Sequence, residues 1–318
     1  PCLAMFGVSG IAAALAPSFA FLIVARLGMG VGAAGLINLA VVLIGDYWSG
    51  LDRTRLIGRN AAFLTVCLAI LPPVGGILTD LASWRVALAP YGFGLVVAFA
   101  AWRMLPAGKP DTNVSIRDQL AGIRQVVGRP EVVVVLIGGT VSFIMIFGVF
   151  LSTLPIHLED QFGYGASMRG LFLAIPAIPS TLVAFNVQRI RTYVDPRPLL
   201  VGCSLLFAAG FALIGATEIA GFVVLGCIVY GAGEGALFPT LQDLSVELSP
   251  PEHRGAIVAI YVGAARLGQT IGPLGAAAVF GATSTFWALH LGVGLAIGLG
   301  LMFLLAPTSG RSPAVAAD

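Results

Sequence analysis

Residues 25–35 read Ala-Arg-Leu-Gly-Met-Gly-Val-Gly-Ala-Ala-Gly, with one permanently charged side chain, Arg26, near their start. The nineteen residues 27–45 that follow it carry no charge, and a helix of that length crosses a ~30 Å bilayer core at ~1.5 Å per residue. A guanidinium at membrane depth costs at least ~2.5 kcal/mol, so it must face protein or water. The glycines let a second helix approach closely. The stretch therefore predicts a helix that lines a transport path.

The composition places the whole chain in a membrane. Its 318 residues are 58% hydrophobic and 10% charged, with a mean hydropathy of +0.97, whereas a soluble domain is about 25% charged. No soluble core could bury so many apolar runs, which excludes the soluble globular class. The four cysteines show no CxxC spacing and predict small core residues rather than disulfides or ligands. We expect no metal and no cofactor.

Ten apolar runs separated by turn residues predict ten spanning helices and an all-α, polytopic membrane protein. The runs cover residues 2–16, 18–46, 55–79, 84–105, 131–157, 166–188, 198–217, 219–247, 254–281 and 285–306. The domain organisation that follows is a partial, four-helix bundle at 1–105, a linker at 106–130, a six-helix bundle at 131–306 and a tail at 307–318.

Basic residues concentrate on one side of the predicted helices. Thirteen of the seventeen Lys and Arg residues fall in the loops of that side or in the tail, so the positive-inside rule makes it cytoplasmic. We expect a cell inner (plasma) membrane protein with both ends of this chain in the cytoplasm. The linker 106–130 carries apolar residues at helical spacing, which predicts an amphipathic helix on the cytoplasmic surface. A solvated tether fits the same residues equally well.

A weak internal repeat relates the early and late helices. A shift of 201 residues places Gly30 on Gly231 and Pro72 on Pro273, and the same offset holds without gaps over about sixty residues. Weak symmetry with glycine and proline at matching positions is typical of secondary transporters that are built from two halves. We therefore expect two pseudo-symmetric halves.

Three stretches resemble the major facilitator superfamily of transporters, and within it the drug/proton antiporter-like exporters. Residues 25–35 resemble the arginine and glycine motif of the family's fourth helix. Residues 71–76, Leu-Pro-Pro-Val-Gly-Gly, resemble the antiporter motif of its fifth helix, and 83–85, Ser-Trp-Arg, the entry to its sixth. The resemblance implies a major facilitator-type bundle and a role for Arg26 in proton transfer. In this alignment the first segment is the family's third helix, so the first two helices are expected to be missing.

Two oppositely charged side chains are predicted near the middle of the membrane. Glu234 lies twelve residues after Phe222, at the outer end of its segment, so it is ~18 Å into the membrane. Arg266 lies twelve residues after Arg254, at the cytoplasmic end of the next segment, so it is also ~18 Å in, from the other face. We expect an ion pair that faces the cavity, whose carboxylate takes up a proton when the arginine turns away or substrate arrives. A static pair that holds the second half together is the alternative. Arg26, ~10 Å from the outer face, is not expected to reach Glu234 and could instead be a packing residue bonded to carbonyls.

Polar groups within the predicted helices are candidates for substrate contact. They are Asn38, Tyr230, Gln242, Gln269 and His290. For the histidine, a hydrogen-bonded core position is the simpler alternative. Aromatic residues at helical spacing could add a wall to the cavity, although a core or lipid-facing stripe has the same spacing. They are Phe143, Phe147 and Phe150.

Two further sets of residues could serve the motion of a transporter. Charged residues at the cytoplasmic mouth could latch the two halves, although surface salt bridging of little energetic value is the alternative. They are Asp46, Arg53, Glu247 and Arg254. Glycines and prolines could pack or bend helices where gates close. They are Gly30, Gly32, Pro72, Pro73, Gly75, Gly76 and Pro273.

Together these features predict a monomeric secondary transporter that couples proton movement to the export of small organic molecules by alternating access. An importer or facilitator of sugars or other metabolites on the same fold is one alternative, and a truncated, transport-incompetent protein is another. An enzyme is not expected, because the chain has no HExxH, no paired intramembrane aspartates and no serine–histidine set. Nucleotide or nucleic-acid binding is not expected either, since the glycine runs lie within membrane helices.

Overall fold

The computed structural model describes residues 1–48, 50–104, 129–216, 218–248 and 254–306. Within these ranges the regular structure is helical and includes no strand. The predicted tail and almost all of the predicted linker lie outside the described residues, so the amphipathic helix stays a prediction.

The helices follow the predicted segments with small shifts at their ends. In the first third of the chain they are α1 (Cys2–Ala14), α2 (Phe19–Tyr47), α3 (Gly50–Leu81), α4 (Trp84–Leu88), a 3₁₀ turn (Ala89–Gly92) and α5 (Phe93–Met104). The later helices are α6 (Pro130–Phe143), a π-helical segment (Ile144–Thr153), α7 (Leu154–Phe162), α8 (Ala166–Ala174), α9 (Ala177–Arg191), α10 (Pro196–Gly215), α11 (Ala220–Glu247), α12 (Arg254–Ala282) and α13 (Thr285–Leu305).

Seven helical stretches among the described residues are long and apolar enough to cross a membrane. They are Trp84–Met104, Pro130–Phe162, Ala166–Arg191, Pro196–Gly215, Ala220–Glu247, Ile257–Ala282 and Thr285–Leu305. Three shorter apolar helices coincide with the other predicted segments, at Cys2–Ala14, Phe19–Ala34 and Ala69–Leu81. The chain is thus an all-helical, multi-pass membrane protein, as predicted, while the number of ten spans stays a prediction.

The described residues form two compact units. The first contains residues 1–104 together with Tyr164–Leu171, and the second contains residues 129–163 and 172–306. The predicted domain organisation, with a four-helix bundle at 1–105 and a six-helix bundle at 131–306, stays a prediction.

Small residues bring the helices of the first unit together. A Cβ on Gly28 would meet the Ser9 hydroxyl, and one on Gly32 would meet the backbone of Cys2 and Phe6, so α2 packs directly on α1. At the end of α1, the Arg85 guanidinium donates a 2.8 Å hydrogen bond to the Ala16 carbonyl. These contacts place Gly28 and Gly32 of the glycine-rich stretch against α1.

Close backbone contacts also organise the second unit. Gly210 of α10 and Gly226 of α11 lie against each other, and a side chain on either would meet the other's carbonyl oxygen. In the same way Gly148 of the π-helical segment faces Gly272 of α12. Because lipid tails offer helices no hydrophobic incentive to associate, such close approach of backbones is a main source of packing energy in membranes.

The π-helical segment interrupts the long apolar stretch between α6 and α7. The hydroxyls of Ser152 and Thr153 donate to the carbonyls of Phe147 and Gly148, five residues earlier in each case. Pro155, just beyond, has no N–H to offer the preceding turn. The hydroxyls therefore supply hydrogen bonds to carbonyls in a part of the helix where the usual α-helical ladder is disturbed.

Substituting Gly272→Leu tests the contact between α12 and the π-helical segment. A Cβ at this position would lie 2.9 Å from the Cα and carbonyl oxygen of Ile144. We expect a loss of about 1–3 kcal/mol from overpacking, seen as a lower melting temperature of the purified protein in detergent. Gly275→Leu is the matched control, because a Cβ there meets no atom within 4 Å. Equal melting temperatures for the two variants would contradict this packing.

Candidate functional site

The candidate site lies in the second unit around Glu234, close to the middle of α11. The residue lies 14 positions after Ala220 and 13 before Glu247, the two ends of the helix. Its side chain is half-buried. Among the described residues, no hydrogen bond or ion pair to its carboxyl group is found. An ionisable group in the middle of a membrane helix, with no partner to offset its charge, marks a functional site by default.

The backbone on both sides of Glu234 is held by glycine contacts. A Cβ on Gly231 would lie 2.5 Å from the Pro176 carbonyl oxygen, and one on Gly235 would meet the Ser180 carbonyl. Both contacts are to the chain at the start of α9. The segment that carries the carboxyl group therefore has little freedom to shift, and the position of Glu234 along the bundle is well defined.

One helical turn before Glu234, Tyr230 is enclosed by aromatic rings. Phe150 stacks on it with a centroid distance of 4.3 Å and an interplanar angle of 4°, and Phe207 lies at 4.8 Å and 18°. Its side chain is fully buried, and its hydroxyl has no hydrogen-bond partner among the described residues. In this conformation the predicted substrate contact is a core ring that joins three helical segments.

The other predicted aromatic residues lie beside α11 as well. Phe143 contacts Phe147 at 5.6 Å and meets Phe238 edge-to-face at 5.1 Å. Phe143 and Phe147 are half-buried, whereas Phe150 is buried against the tyrosine. Phe238 lies one turn after Glu234. The carboxyl group therefore has an aromatic residue one turn away on each side along its own helix.

The predicted partner of Glu234 is bonded elsewhere. Arg266, on α12, is exposed, and its Nη1 donates a 2.5 Å hydrogen bond to the Oε1 of Gln269 one turn later. Within the part of the chain that the structure describes, no ion pair joins Arg266 to Glu234. The two charges stay candidates for proton coupling, but in this conformation neither neutralises the other.

Arg26 lies in the first unit. It is exposed, and its guanidinium carbon is 5.8 Å from the centre of the Tyr91 ring, within the range of a cation–π contact. That ring also packs edge-to-face against Phe6. Arg26 of α2 is thus held by Tyr91, which lies in the 3₁₀ turn between α4 and α5.

The remaining predicted substrate contacts differ in their surroundings. Gln242 is exposed on α11. His290 is half-buried, lies 4.0 Å from the Phe286 ring centre, and bonds through Nδ1 to the Phe286 carbonyl at 2.9 Å. Its ring thus has a partner within its own helix. The side chain of Asn38 lies outside the described residues.

Charged residues near the ends of α9 and α11 form a cluster in the second unit that sequence analysis only partly anticipated. The Arg191 guanidinium at the end of α9 makes an ion pair with Asp243, and its Nη2 lies 3.7 Å from the Glu247 carboxylate. Sequence analysis grouped Glu247 with Arg254. The side chains of Arg254, Asp46 and Arg53 lie outside the described residues. Asp243 was missed, although it lies one turn before Glu247 and so shares its helix face.

The glycines predicted to pack or bend helices fall into two groups. A Cβ on Gly32 or Gly76 would meet neighbouring backbone, whereas one on Gly30 or Gly75 would meet nothing within 4 Å. The carbonyl of Pro72 lies against Gly170. Pro73 and Pro273 are half-buried within helices that continue past them.

Asp80, which sequence analysis did not select, caps a helix in the first unit. Its Oδ1 accepts a 2.9 Å hydrogen bond from the Ala166 N–H, and its Oδ2 a 2.7 Å bond from the Ser167 N–H. The carboxylate is exposed just past the predicted span 55–79. Hydrogen bonds from Ser167 hold the pKa of Asp80 below its ordinary value. The sequence gives no local sign of this cap, because 86 residues separate Asp80 from Ala166.

His157 is a second polar residue that sequence analysis missed. It is buried in the first half of α7, and its Nδ1 lies 3.1 Å from the Thr285 hydroxyl oxygen at the start of α13. Its Nε2 has no hydrogen-bond partner among the described residues. The pair joins α7 to the start of α13, two helices that are far apart in sequence.

An all-helical, multi-pass bundle with a carboxyl group in the middle of one helix that has no partner among the described residues is consistent with the class of membrane transport proteins. The family model described as Major Facilitator Superfamily matches this chain over residues 1–273 and again over 139–317. The chain belongs to the major facilitator superfamily, and so to a family of transporters rather than enzymes.

Three known proteins illustrate the relationship. The cephamycin export protein CmcT of Amycolatopsis lactamdurans is 30% identical over 196 residues, which is 61% of this chain and 36% of that protein. The methylenomycin A resistance protein of Streptomyces coelicolor is 25% identical over 319 residues, 94% of this chain and 61% of that protein. A bacterial homolog of the human lysosomal transporter Spinster, in an inward-facing and occupied conformation, shares the fold with a TM-score of 0.69 and 16% identity, over 96% of this chain and 80% of that chain.

The matched regions cover between 14% and 61% of the length of the curated relatives. The structural neighbour, at 16% identity, shows the fold alone.

Replacing Tyr230 with Phe tests the aromatic stack. Because the hydroxyl is buried without a partner, we expect stability within about 1 kcal/mol of the wild type, or slightly above it. Tyr230→Ala should lose about 3–5 kcal/mol, as large aromatic truncations in cores do. Denaturant unfolding in detergent micelles measures both changes. A clear loss of stability in the phenylalanine variant would mean that the hydroxyl has a partner.

The contribution of Asp80 to stability should be lost only at acidic pH. The pKa of Asp80 is lowered in the folded protein by hydrogen bonds from Ser167, so the contribution is complete above the unfolded value of ~3.9 and disappears as the pH falls through the folded value. The difference in melting temperature between wild type and Asp80→Asn should be constant from about pH 8 to about pH 5. A difference that shrinks around neutral pH would contradict the capping geometry.

Proposed function

We propose that this protein is a secondary transporter that couples proton movement to the export of small organic molecules by alternating access. We place it, as a monomer with both ends of this chain in the cytoplasm, in the cell inner (plasma) membrane. One observation carries the proposal: Glu234 is half-buried in the middle of α11 and makes no hydrogen bond or ion pair among the described residues.

A carboxyl group in this position suits a proton carrier. In an apolar bundle the neutral, protonated form avoids the cost of a buried charge, whereas the ionised form needs water or a cation beside it. A change in exposure between two conformations, or the arrival of a substrate, therefore changes which form is favoured. The same group can then exchange a proton with one side of the membrane in one conformation and with the other side in the next.

Arg266 is proposed to set when Glu234 releases its proton. In this conformation the arginine is bonded to Gln269 on its own helix. Its long side chain can exchange that neutral partner for a carboxylate, to which its hydrogen bonds would be stronger. Formation of the pair would favour the ionised glutamate and so promote proton release. Arg26, which contacts Tyr91, is proposed to take part in the proton path through the first unit, as the family resemblance implies.

Export is the direction that the relatives favour. One of them is named as an export protein for cephamycin and another as a resistance protein for methylenomycin A. Both names refer to the handling of small organic antibiotics. The residues 71–76, which resemble the antiporter motif of exporters, support the same direction.

Two pseudo-symmetric halves and ten spanning helices complete the proposed architecture. The three shorter apolar helices occupy three of the ten predicted segments. The family model matches the chain twice, with different starting points, which supports an internal repeat. Alternating access would then be a movement of one half against the other around a site near the middle of the membrane.

The decisive variant is Glu234→Gln, which keeps the size and polarity of the side chain but cannot carry a titratable proton. Inverted membrane vesicles that contain the protein are given an acidic interior, and uptake of a fluorescent organic dye is followed. We expect wild-type vesicles to accumulate the dye and the variant to lose at least about tenfold in initial rate. The same experiment without a pH gradient separates driven from passive uptake.

Glu218→Gln is the matched control, because it removes one carboxylate from an exposed position just outside α11. It should transport as the wild type does. Equal amounts of folded variant in the vesicles are verified by fluorescence-detected size exclusion. Proton-driven uptake by a folded Glu234→Gln variant at the wild-type rate would show that another group carries the proton.

A further inference from the structure

His157 joins three helices near one end of the second unit. The residue belongs to α7, and its Nδ1 is 3.1 Å from the Thr285 hydroxyl oxygen at the start of α13. The backbone of Ile214, near the end of α10, lies beside the ring. Both polar side chains are buried, the histidine with 2% and the threonine with 5% of its surface exposed. A single imidazole therefore connects α7, α10 and α13 inside the bundle.

The second nitrogen of the ring is left without a hydrogen bond. Nε2 is buried and has no partner among the described residues, so the backbone of Ile214 does not complete a bond of normal geometry. A neutral imidazole can share one hydrogen bond with Thr285 in either direction, whereas a protonated ring can only donate, at both nitrogens. The junction thus provides one partner for a neutral ring and leaves the second N–H of a charged ring unsatisfied.

The charged and titratable groups around His157 do not pair with its ring. On α7, Asp160 acts on the ring through its charge, but its side chain is exposed one turn away. Glu159 is exposed and has a contact of its own, and Glu218, which follows α10, is exposed as well. On α13, His290 bonds to a carbonyl of its own helix. The last turn of α10 and the π-helical segment carry no ionisable side chain.

A histidine in this setting responds to pH through its burial. In the closed junction the ring is almost entirely out of water, and a buried charge without a close counter-ion is disfavoured. When the helix ends separate, water reaches both nitrogens and the Asp160 carboxylate can approach, so the protonated ring becomes acceptable. Free histidine takes up its proton near pH ~6.5. The closed junction is therefore complete above about that pH and weakens as the pH falls below it.

We propose that His157 is a proton-sensitive clasp. The neutral ring keeps α7, α10 and α13 together at this end of the second unit, and uptake of a proton releases the ring from Thr285 and lets the helix ends separate. The distribution of basic residues predicts that this end faces the outside, so the outer medium would supply the proton. The proposal goes beyond the transport function and does not depend on Glu234 or on the direction of transport.

Distance measurement between spin labels tests the clasp at two pH values. Labels are attached at Gln161→Cys, at the end of α7, and at Thr283→Cys, just before α13, in a protein whose four native cysteines are replaced. Both positions are exposed. We expect mostly short distances at about pH 8. The ratio of long to short distances should rise roughly fivefold by about pH 5, within the limit of about tenfold per pH unit that one linked proton sets.

His157→Gln is the decisive variant, because glutamine keeps a donor and an acceptor but takes up no proton. Its distance distribution should be the same at both pH values. His290→Gln is the matched control, since that ring bonds within its own helix, and it should keep the wild-type response. A wild-type response in folded His157→Gln, or no response in the wild type itself, would overturn the clasp.

Thr285→Val tests the same junction with the histidine in place. It removes the hydroxyl that Nδ1 contacts, so it should raise the fraction of long distances even at about pH 8. An unchanged distribution in this variant would count against the clasp, also if His157→Gln did not fold. Melting temperature and size-exclusion profile verify folding. The pH response should persist in Glu234→Gln, so a failure of proton-driven uptake and a failure of the clasp are separate outcomes.

Discussion

The structure depends on one constraint of the bilayer: helices cannot gain free energy by hiding apolar side chains from lipid, so they must associate through close contact. Glycine provides that contact in both compact units. Gly32 packs on α1 in the first unit, and Gly210 and Gly226 pack on each other in the second. These glycines therefore serve the close packing of helix backbones. Because close backbone contacts leave helices little freedom to shift, they also fix the positions of the few polar groups on those helices.

Glu234 illustrates that accuracy. Glycine contacts hold the backbone on both sides of it, and aromatic residues occupy the turns before and after it. A carboxyl group that is held in place, and that has no cationic partner among the described residues, can respond to what enters its surroundings. Arg266 on α12 is bonded to the neutral amide of Gln269. The cost of ionising the carboxyl group is thus left for water, a substrate or a moved arginine to offset, and this is the property on which coupling would depend.

Much of the fold followed from the sequence because the bilayer imposes length and polarity on every span. Glu234 lies near the middle of α11, while its predicted position near the middle of the membrane stays a prediction. Sequence analysis could not place the partner of Arg266, because an arginine side chain reaches several ångströms and the competing acceptor, Gln269, was only one turn away. It also could not anticipate Asp80 or the enclosure of Tyr230, since their partners come from distant parts of the chain. Pairing across such separations follows from packing and leaves no local pattern.

The π-helical segment between α6 and α7 changes which residues share a face along residues 130–162. Each turn there contains more residues than an α-turn, so the angular positions on its two sides are out of step with a 3.6-residue period. Phe143 and Phe147 remain in contact across its beginning, whereas Phe150, three residues further on, is turned toward Tyr230. A helical-wheel projection drawn through residues 130–162 would therefore assign the wrong face to one of its ends. Alignments of relatives across this stretch should treat it as two helices with separate phases.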